Sequence, residues 1–296
     1  MIHTLPLKLE NMSFRSHDVI GIHELNGSIV YVRGALEDTL QETPDNKTAS
    51  PNLVIADCFS PDFAVHTQIH VSHLKGVFYA KTHAASYVED EKLFLNTFKT
   101  TSKTLSKIFG GDGDAFKMLF EITDSDILEV SPFPDPEEYV PPDQKTYCFG
   151  DYALRMASDW KLECRSIRTD AVLWVLRLTS YLYTELEVRN DVLYFGTAGK
   201  GGHLYGISLD NGHVIFDWNT GGTTKIVWKD DCIIITDRKG NLVLVNSTNG
   251  TEIKRFRFHK MVASIDYPFL VRGNRIYTVL RDKKDCFALY ATCVEI

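Results

Sequence analysis

The chain has 296 residues, of which 44% are hydrophobic and 11% aromatic, and its formal net charge is −7. This composition excludes disorder throughout the chain, and no run of roughly 18 apolar residues is present to form a membrane-spanning helix. The acidic balance disfavours a nucleic-acid partner. The six cysteines form no C-x-x-C pair, so we expect buried thiols, no metal site and, with no signal peptide at the start, a cytoplasmic protein.

Strand-like runs fill the first half of the chain at uneven spacing. The opening "IHTLPLKLE" predicts a lone strand, and "NLVIADCFSPDFAVHTQI" and "KLFLNTFKTTSKTLSKIF" begin near Leu53 and Leu93, a step of 40 residues. Further on, "FKMLFEITDSDILEVSP" is typical of two strands. Polar, Pro-containing stretches near residues 36–51 and 133–145 predict irregular insertions.

The second half repeats itself. "GGHLYGISLDNGHVIFDW" at 201–218 is followed by "GNLVLVNSTNGTEIKRF" at 240–256, so Leu242 stands 38 residues after Leu204, which in turn follows Leu162 by 42. Each copy has two alternating runs around an Asn-Gly turn, which predicts a β-hairpin because Asn and Gly tolerate positive φ. Each hairpin is preceded by two more strand-like runs.

Four short strands in a repeat of about 40 residues are typical of a blade of a β-propeller, as in WD40-like repeats. We expect one all-β domain over residues 1–296, with third strands near Leu53, Leu93, Leu162, Leu204, Leu242 and Phe287. The 69 residues from Leu93 to Leu162 exceed one repeat, which favours seven blades with a degenerate one in this interval; six is the alternative. The N-terminal strand is expected to complete the last blade and close the ring.

The segment "VLYFGTAGKGGHLYGISLDNGHVIFDWNT" resembles the pyrroloquinoline-quinone-like propeller repeat, and the resemblance extends over roughly residues 150–260. Trp174 and Trp218 stand where that family has its docking Trp, and Phe256 replaces it in the next repeat. The resemblance implies a fold, and a non-enzymatic type of member. Quinone-using members carry two adjacent cysteines at the cofactor, which this chain lacks, so no cofactor is expected.

Candidate ligands do not converge on one site. His66 and His70 share a strand face but would lie about 13 Å apart, too far for one metal ion. "GGDGDAF", with Asp112 and Asp114, lacks the later carboxylates of a calcium loop, and "TAGKGGH", with Lys200, lacks the spacing of a phosphate-binding loop. We interpret both Gly-rich segments as connections between strands.

The acidic, Pro-rich segment 135–144 is the candidate contact with a partner. Its predicted partner-binding residues are Asp135, Glu137, Glu138, Tyr139 and Asp143. The sequence therefore favours a monomeric, non-catalytic scaffold for a protein partner, without nucleic acid or membrane; an immunity protein that neutralises a toxin is a narrower hypothesis by analogy of fold. The alternative is a small-molecule hydrolase or lyase with its site in the central channel.

Overall fold

The computed structural model describes residues 1–7, 14–37, 53–73, 77–78, 85–100, 115–122, 127–130, 142–157, 160–222, 225–263, 267–285 and 288–296. Within these ranges the chain is nearly all strand, as the sequence predicts, and the helical element is a 3-10 turn at Pro142–Gln144. The chain divides into two compact units. One comprises residues 1–136 and 266–296, and the other residues 137–265.

The strands are numbered in chain order. The first ten are β1 (Ile2–Pro6), β2 (Phe14–Leu25), β3 (Ser28–Glu37), β4 (Leu53–Phe59), β5 (His66–His73), β6 (Val77–Phe78), β7 (Ala85–Glu89), β8 (Lys92–Thr100), β9 (Ala115–Ile122) and β10 (Ile127–Val130). The next eight are β11 (Thr146–Phe149), β12 (Tyr152–Met156), β13 (Lys161–Ser166), β14 (Val172–Arg177), β15 (Glu187–Arg189), β16 (Val192–Gly196), β17 (His203–Ser208) and β18 (Val214–Asn219). The last eight are β19 (Val227–Lys229), β20 (Cys232–Thr236), β21 (Leu242–Asn246), β22 (Glu252–Phe256), β23 (Met261–Ala263), β24 (Leu270–Arg272), β25 (Arg275–Asp282) and β26 (Leu289–Glu295).

The described residues form six sheets, each with a run of four neighbouring antiparallel strands. In the first unit the runs are β2-β3-β4-β5, β7-β8-β9-β10 and β24-β25-β26-β1, and β6 also pairs with β8. In the second unit they are β11-β12-β13-β14, β15-β16-β17-β18 and β19-β20-β21-β22. Five of the six runs follow chain order. Local pairing of this kind needs only short turns between neighbours.

Of the six predicted third strands four are confirmed and one is wrong, while Phe287, which marks the sixth, lies outside the described residues. Leu53, Leu162, Leu204 and Leu242 all lie on the third strand of a run. Leu93 instead lies on β8, the second strand, because β8 pairs with β7 on one side and β9 on the other. The two strands assigned to a separate seventh blade are β9 and β10, which complete this same sheet. Residues 101–114 separate β8 from β9 in the sequence and so lengthen the spacing, although the two strands pair directly.

The N-terminal strand pairs with the C-terminal strand, as the sequence predicts. Leu5 lies opposite Ala291 in the antiparallel β1–β26 pair, and the Leu7 amide donates to the Leu289 carbonyl at 2.9 Å. The Met1 amino group lies 3.3 Å from a carboxylate oxygen of Glu295. The run β24-β25-β26 thus obtains its fourth strand from the other end of the chain, which covers an edge that would otherwise be open.

Aromatic side chains of one sheet pack on turn glycines of the next in the second unit. Trp174 is 8% exposed, and its indole N–H donates to the Leu209 carbonyl at 2.8 Å. A Cβ at Gly212, which has a φ of 70°, would lie 2.7 Å from the Trp174 ring. Phe216 packs in the same way on Gly250. Glycine at these turns therefore allows both the left-handed backbone and the close approach of the ring.

Trp174 and Trp218 are not at equivalent positions, contrary to the interpretation of the sequence. Trp174 lies opposite Cys164 and Phe216 opposite Gly206, so Phe216 is the structural counterpart of Trp174. Trp218 is half-buried and corresponds to Phe256, which lies opposite Leu242 as Trp218 lies opposite Leu204. Alternate residues of a strand share a face, so the pattern alone did not distinguish positions two residues apart.

The first unit has a core that combines aromatic rings with buried polar groups. Phe63 stacks between Phe59 and Tyr277, with ring centroids 4.8 and 5.9 Å away. The Tyr31 hydroxyl reaches the carbonyls of Thr278 and Thr292, each at 3.2 Å. These contacts tie β3 to β25 and β26, which lie more than two hundred residues later in the chain.

Candidate functional site

The long connections of the second unit gather at one end of its sheets. In an antiparallel run of four, the turn between strands two and three lies at the same end as the connection that leaves strand four. We call this the loop end; in the described chain it comprises residues 157, 160, 178–186, 197–202, 220–222, 225–226, 237–241 and 257–260. The opposite end carries the short turns.

Backbone hydrogen bonds join successive connections of the loop end. The Ala198 amide donates to the Tyr181 carbonyl at 3.1 Å, the Thr220 amide to Gly202 at 3.0 Å and the Arg238 amide to Thr220 at 2.9 Å. The sheets β11–β14, β15–β18 and β19–β22 are therefore linked at this end into one continuous loop surface. The regular repeat explains why equivalent connections meet.

The Gly-rich segment "TAGKGGH" is a turn between β16 and β17, as predicted. Gly202 is buried, and a Cβ there would overlap the Gly222 carbonyl oxygen. Lys200 is exposed at the tip of the turn. The glycines thus permit close contact between two connections, and the segment presents a single cation to solvent.

Most of the predicted partner-binding segment lies outside the described residues. Asp135, Glu137, Glu138 and Tyr139 fall there, whereas Asp143 is exposed on the 3-10 turn Pro142–Gln144. Their role in partner binding stays a prediction.

The chain that follows Asp143 is held at the loop end by Glu185. Lys145 Nζ lies 2.6 Å from one carboxylate oxygen of Glu185, and the Tyr147 hydroxyl donates to the other at 2.5 Å. Burial raises the pKa of Glu185, but these two hydrogen bonds and the lysine charge outweigh it and lower the pKa overall. Glu185 was not identified from the sequence, because nothing in the spacing links it to residues about 40 positions earlier.

A second polar cluster lies in the first unit. Asp57 is fully buried and accepts from Arg33 Nε at 2.5 Å, while its other oxygen lies 2.9 Å from His66 Nε2. His66 is 39% exposed in its side chain and stacks on Phe59, with ring centroids 4.5 Å apart. Asp57 thus holds the imidazole in place through Nε2. The sequence does contain a signal for this cluster: one charged residue, Arg33 or Asp57, stands within each of the apolar strands "SIVYVRGAL" and "LVIADCF".

The titratable groups form no further centre in the part of the chain that the structure describes. No group of three or more His, Cys, Asp or Glu residues is arranged to hold a metal ion there. Burial raises the pKa of Cys164 to about 11, so this thiol stays protonated and unreactive. Cys148 is exposed, which contradicts the expectation of buried thiols at that position. No helix of the described residues is long and apolar enough to cross a membrane.

Comparison with known proteins gives similarity at the level of structure alone. No family model and no curated protein sequence matches the chain. Among solved structures, BamB from Moraxella catarrhalis aligns over 96% of this chain and 100% of its own, with 9% identity and a TM-score of 0.41. The WD40 β-propeller domain of Doa1 aligns over 99% and 96%, with 11% identity and a TM-score of 0.48. The computationally designed Ika8 protein aligns over 95% and 98%, with 8% identity and a TM-score of 0.41.

Proposed function

We propose that this protein is a single β-propeller domain, with the six four-stranded runs as its blades, that binds a protein partner without catalysis of its own. The N-terminal strand closes the ring, and the protein acts as a monomer in the cytoplasm. The observation that carries the binding role is the loop end, where connections of three successive sheets are hydrogen-bonded into one surface. Protein-binding sites are disproportionately built from loops on a rigid scaffold.

The acidic segment 135–144 is the proposed first contact with the partner. Its carboxylates suit a basic surface, and Asp143 at its end is exposed close to the anchored Lys145 and Tyr147. Prolines at 141 and 142 reduce the conformational entropy that docking would cost. Charges in such a position speed association more than they deepen affinity.

The test is a charge reversal, Glu137→Lys with Glu138→Lys, after the partner has been isolated by pull-down from the native host. The variant should associate more slowly, by about tenfold at low salt, and its association rate should depend less on salt. The matched control is Asp230→Lys with Asp231→Lys, an exposed pair at the opposite end, with an unchanged urea midpoint as the check on folding. Identical kinetics for wild type and the Glu137, Glu138 variant would remove the segment from the interface.

The nature of the captured partner decides between narrower functions. A toxin whose activity is abolished on binding would establish the immunity-type function. A partner without such activity would restrict the proposal to a general scaffold.

The enzyme alternative rests on the Asp57–His66 pair, because a buried carboxylate that orients an imidazole is the arrangement used in general-base catalysis. Turnover of a small ester or lyase substrate by the purified protein, lost in His66→Gln, would replace the binding proposal. Turnover that survives His66→Gln would leave this pair with a structural role only.

A further inference from the structure

The loop end of the second unit carries a surplus of exposed cations. We call Lys200, Arg238, Lys239, Arg257 and Lys260 the basic patch; all five are exposed. In the part of the chain that the structure describes, none of the five forms an ion pair. The carboxylates of the same connections are already engaged: Glu185 with Lys145, and Asp237 with Arg255.

The patch is built by the packing of the connections and is not a chance scatter of lysines. The Arg238 side chain lies against Gly221, where a Cβ would come within 2.9 Å of its Cδ. Gly221 in turn donates to Gly202, two residues after Lys200. On the other side, the Ala263 amide donates to the Gly240 carbonyl at 2.9 Å, which joins the connection that carries Lys260 to the turn that carries Lys239.

Asp237 shapes the turn that presents two of the cations. One of its carboxylate oxygens accepts from the amides of Lys239 and Asn241, each at 2.9 Å. The other oxygen bonds to Arg255 and to the Asn241 side chain. The carboxylate is therefore satisfied by the turn and by Arg255, whereas Arg238 and Lys239 are exposed and form no ion pair among the described residues.

The opposite end of the same unit exposes carboxylates, three of which pair with Arg168, Arg165 or Lys229, and ordinary turn chemistry explains them. Its turns expose Asp151, Asp170, Asp191, Asp210, Asp230 and Asp231. Three of these have positive φ, of 55°, 61° and 51° at Asp170, Asp191 and Asp230, a conformation that Asp tolerates well. Lys260 also has a positive φ, of 61°, but lysine has no preference for this conformation. Turn geometry therefore does not account for the cation there.

We propose that the basic patch binds an acidic, Asp/Glu-rich segment of a protein partner. This inference rests on the proposed function and adds a second contact to it: an acidic segment of the partner meets the basic patch, while a basic surface of the same partner meets residues 135–144. Charge complementarity supplies the argument. The net charge of −7 would repel a long polyanion such as duplex nucleic acid, whereas a short acidic segment contacts the patch alone.

The direct test measures binding of a fluorescein-labelled poly-Glu peptide by anisotropy at low and high salt. The patch variant Arg238→Gln, Lys239→Gln, Lys260→Gln should bind about fivefold to tenfold more weakly than wild type, as loss of three exposed charge contacts implies. The control Arg168→Gln, Lys254→Gln removes exposed cations outside the patch and should bind as wild type does. High salt should remove most of the difference between wild type and the patch variant.

Other results would overturn the inference. Equal affinity of wild type and patch variant, or tighter binding of single-stranded poly-dT than of poly-Glu, would do so. Capture of a native partner by wild type and patch variant with the same salt dependence would contradict this inference and leave the proposed function standing. Failure to capture any protein, with poly-Glu still bound by the patch, would remove the proposed function and confirm the ligand chemistry of the patch.

Discussion

The two units of the chain achieve similar sheets by different means. In residues 137–265 the repeats follow one another at near-constant steps, and Trp174 and Phe216 pack on the turn glycines of the next sheet. Residues 1–136 and 266–296 lack that regularity. Their sheets depend on strand pairing between the two ends of the chain and on the buried Arg33–Asp57 pair.

The difference concerns what a repeat must contain. Where each sheet supplies both an aromatic ring and a turn glycine, neighbours stabilise one another in sequence, as in other repeat proteins. In the described residues of the first unit, the strands are joined by pairing between distant segments and by buried polar groups. The stability of the first unit should therefore fall most when a strand or a member of the buried ion pair is removed. The stability of the second unit should fall most when one of the packed aromatic rings is removed.

Deletion of residues 1–6 should have the largest effect. It removes β1, its pairing with β26 and the packing of Leu5 on the core of the first unit. We expect the melting temperature to fall by on the order of 10 °C or more, measured by circular dichroism. Ile2→Thr, at a position 42% exposed, is the control and should melt almost as wild type does. An unchanged melting curve after the deletion would show that β26 does not need its partner.

The second-largest loss of stability should follow removal of one member of the buried Arg33–Asp57 ion pair. Arg33→Met leaves the Asp57 carboxylate buried without its main counter-charge and should cost about 3–5 kcal/mol of unfolding free energy. Urea denaturation measures the loss. The double variant Arg33→Met, Asp57→Leu should lose less than the sum of the two single variants, since no uncompensated charge remains. Strict additivity would mean that the two side chains do not interact.

Trp174→Ala and Trp218→Ala separate the two tryptophans. Trp174 is buried and hydrogen-bonded, so its replacement should cost about 3–5 kcal/mol in urea denaturation. Trp218 is half-buried, so Trp218→Ala should cost about half as much unfolding free energy, judged from the buried apolar area alone. Phe216→Ala, the counterpart of Trp174 in the next sheet, should resemble Trp174→Ala. A larger loss at Trp218 than at Trp174 would contradict the register of these strands.

The smallest expected effect is a pH dependence at the junction of the chain ends. The hydrogen bond from the Met1 amino group, aided by Arg275, lowers the pKa of Glu295 below its ordinary value of 4.5, although burial opposes this. The associated stability is therefore present above about pH 4.5 and is lost as the pH falls through the lower folded pKa. In Glu295→Gln, the unfolding free energy measured by urea denaturation should depend less on pH in this acidic range. Acetylation of the amino group removes the Met1 charge and should act in the same direction. If the acidic pH dependence of stability is unaltered in both cases, the Met1–Glu295 contact does not contribute to it.

The sequence predicted most strands of the second unit because their pairing is local. Asn-Gly turns mark the hairpins, and alternation assigns Leu204 and Leu242 to third strands. It failed at Leu93 because spacing counts residues, whereas a sheet is defined by hydrogen bonds: β8 pairs directly with β9 although residues 101–114 separate them in the sequence. The choice of Trp218 instead of Phe216 as the counterpart of Trp174 has a similar origin, since residues two apart on a strand share a face.

The site was less predictable than the fold. The basic patch unites cations from connections separated by up to 60 positions, from Lys200 to Lys260, and only the hydrogen bonds between those connections bring them to one surface. The burial of Asp57 likewise depends on Arg33, 24 residues earlier. In both cases the sequence contains the residues but not their proximity.

The pairing of β1 with β26 has a kinetic consequence. The partners Ile2 and Val294 are separated by almost the whole chain, and closing so long a loop costs entropy that only late contacts recover. During synthesis, β1 leaves the ribosome long before β26 exists. The run β24-β25-β26 must therefore form with an exposed edge, or wait for β1 to dock. Docking of β1 would then be the last step of folding, and its rate would set how long newly made chains stay prone to aggregation.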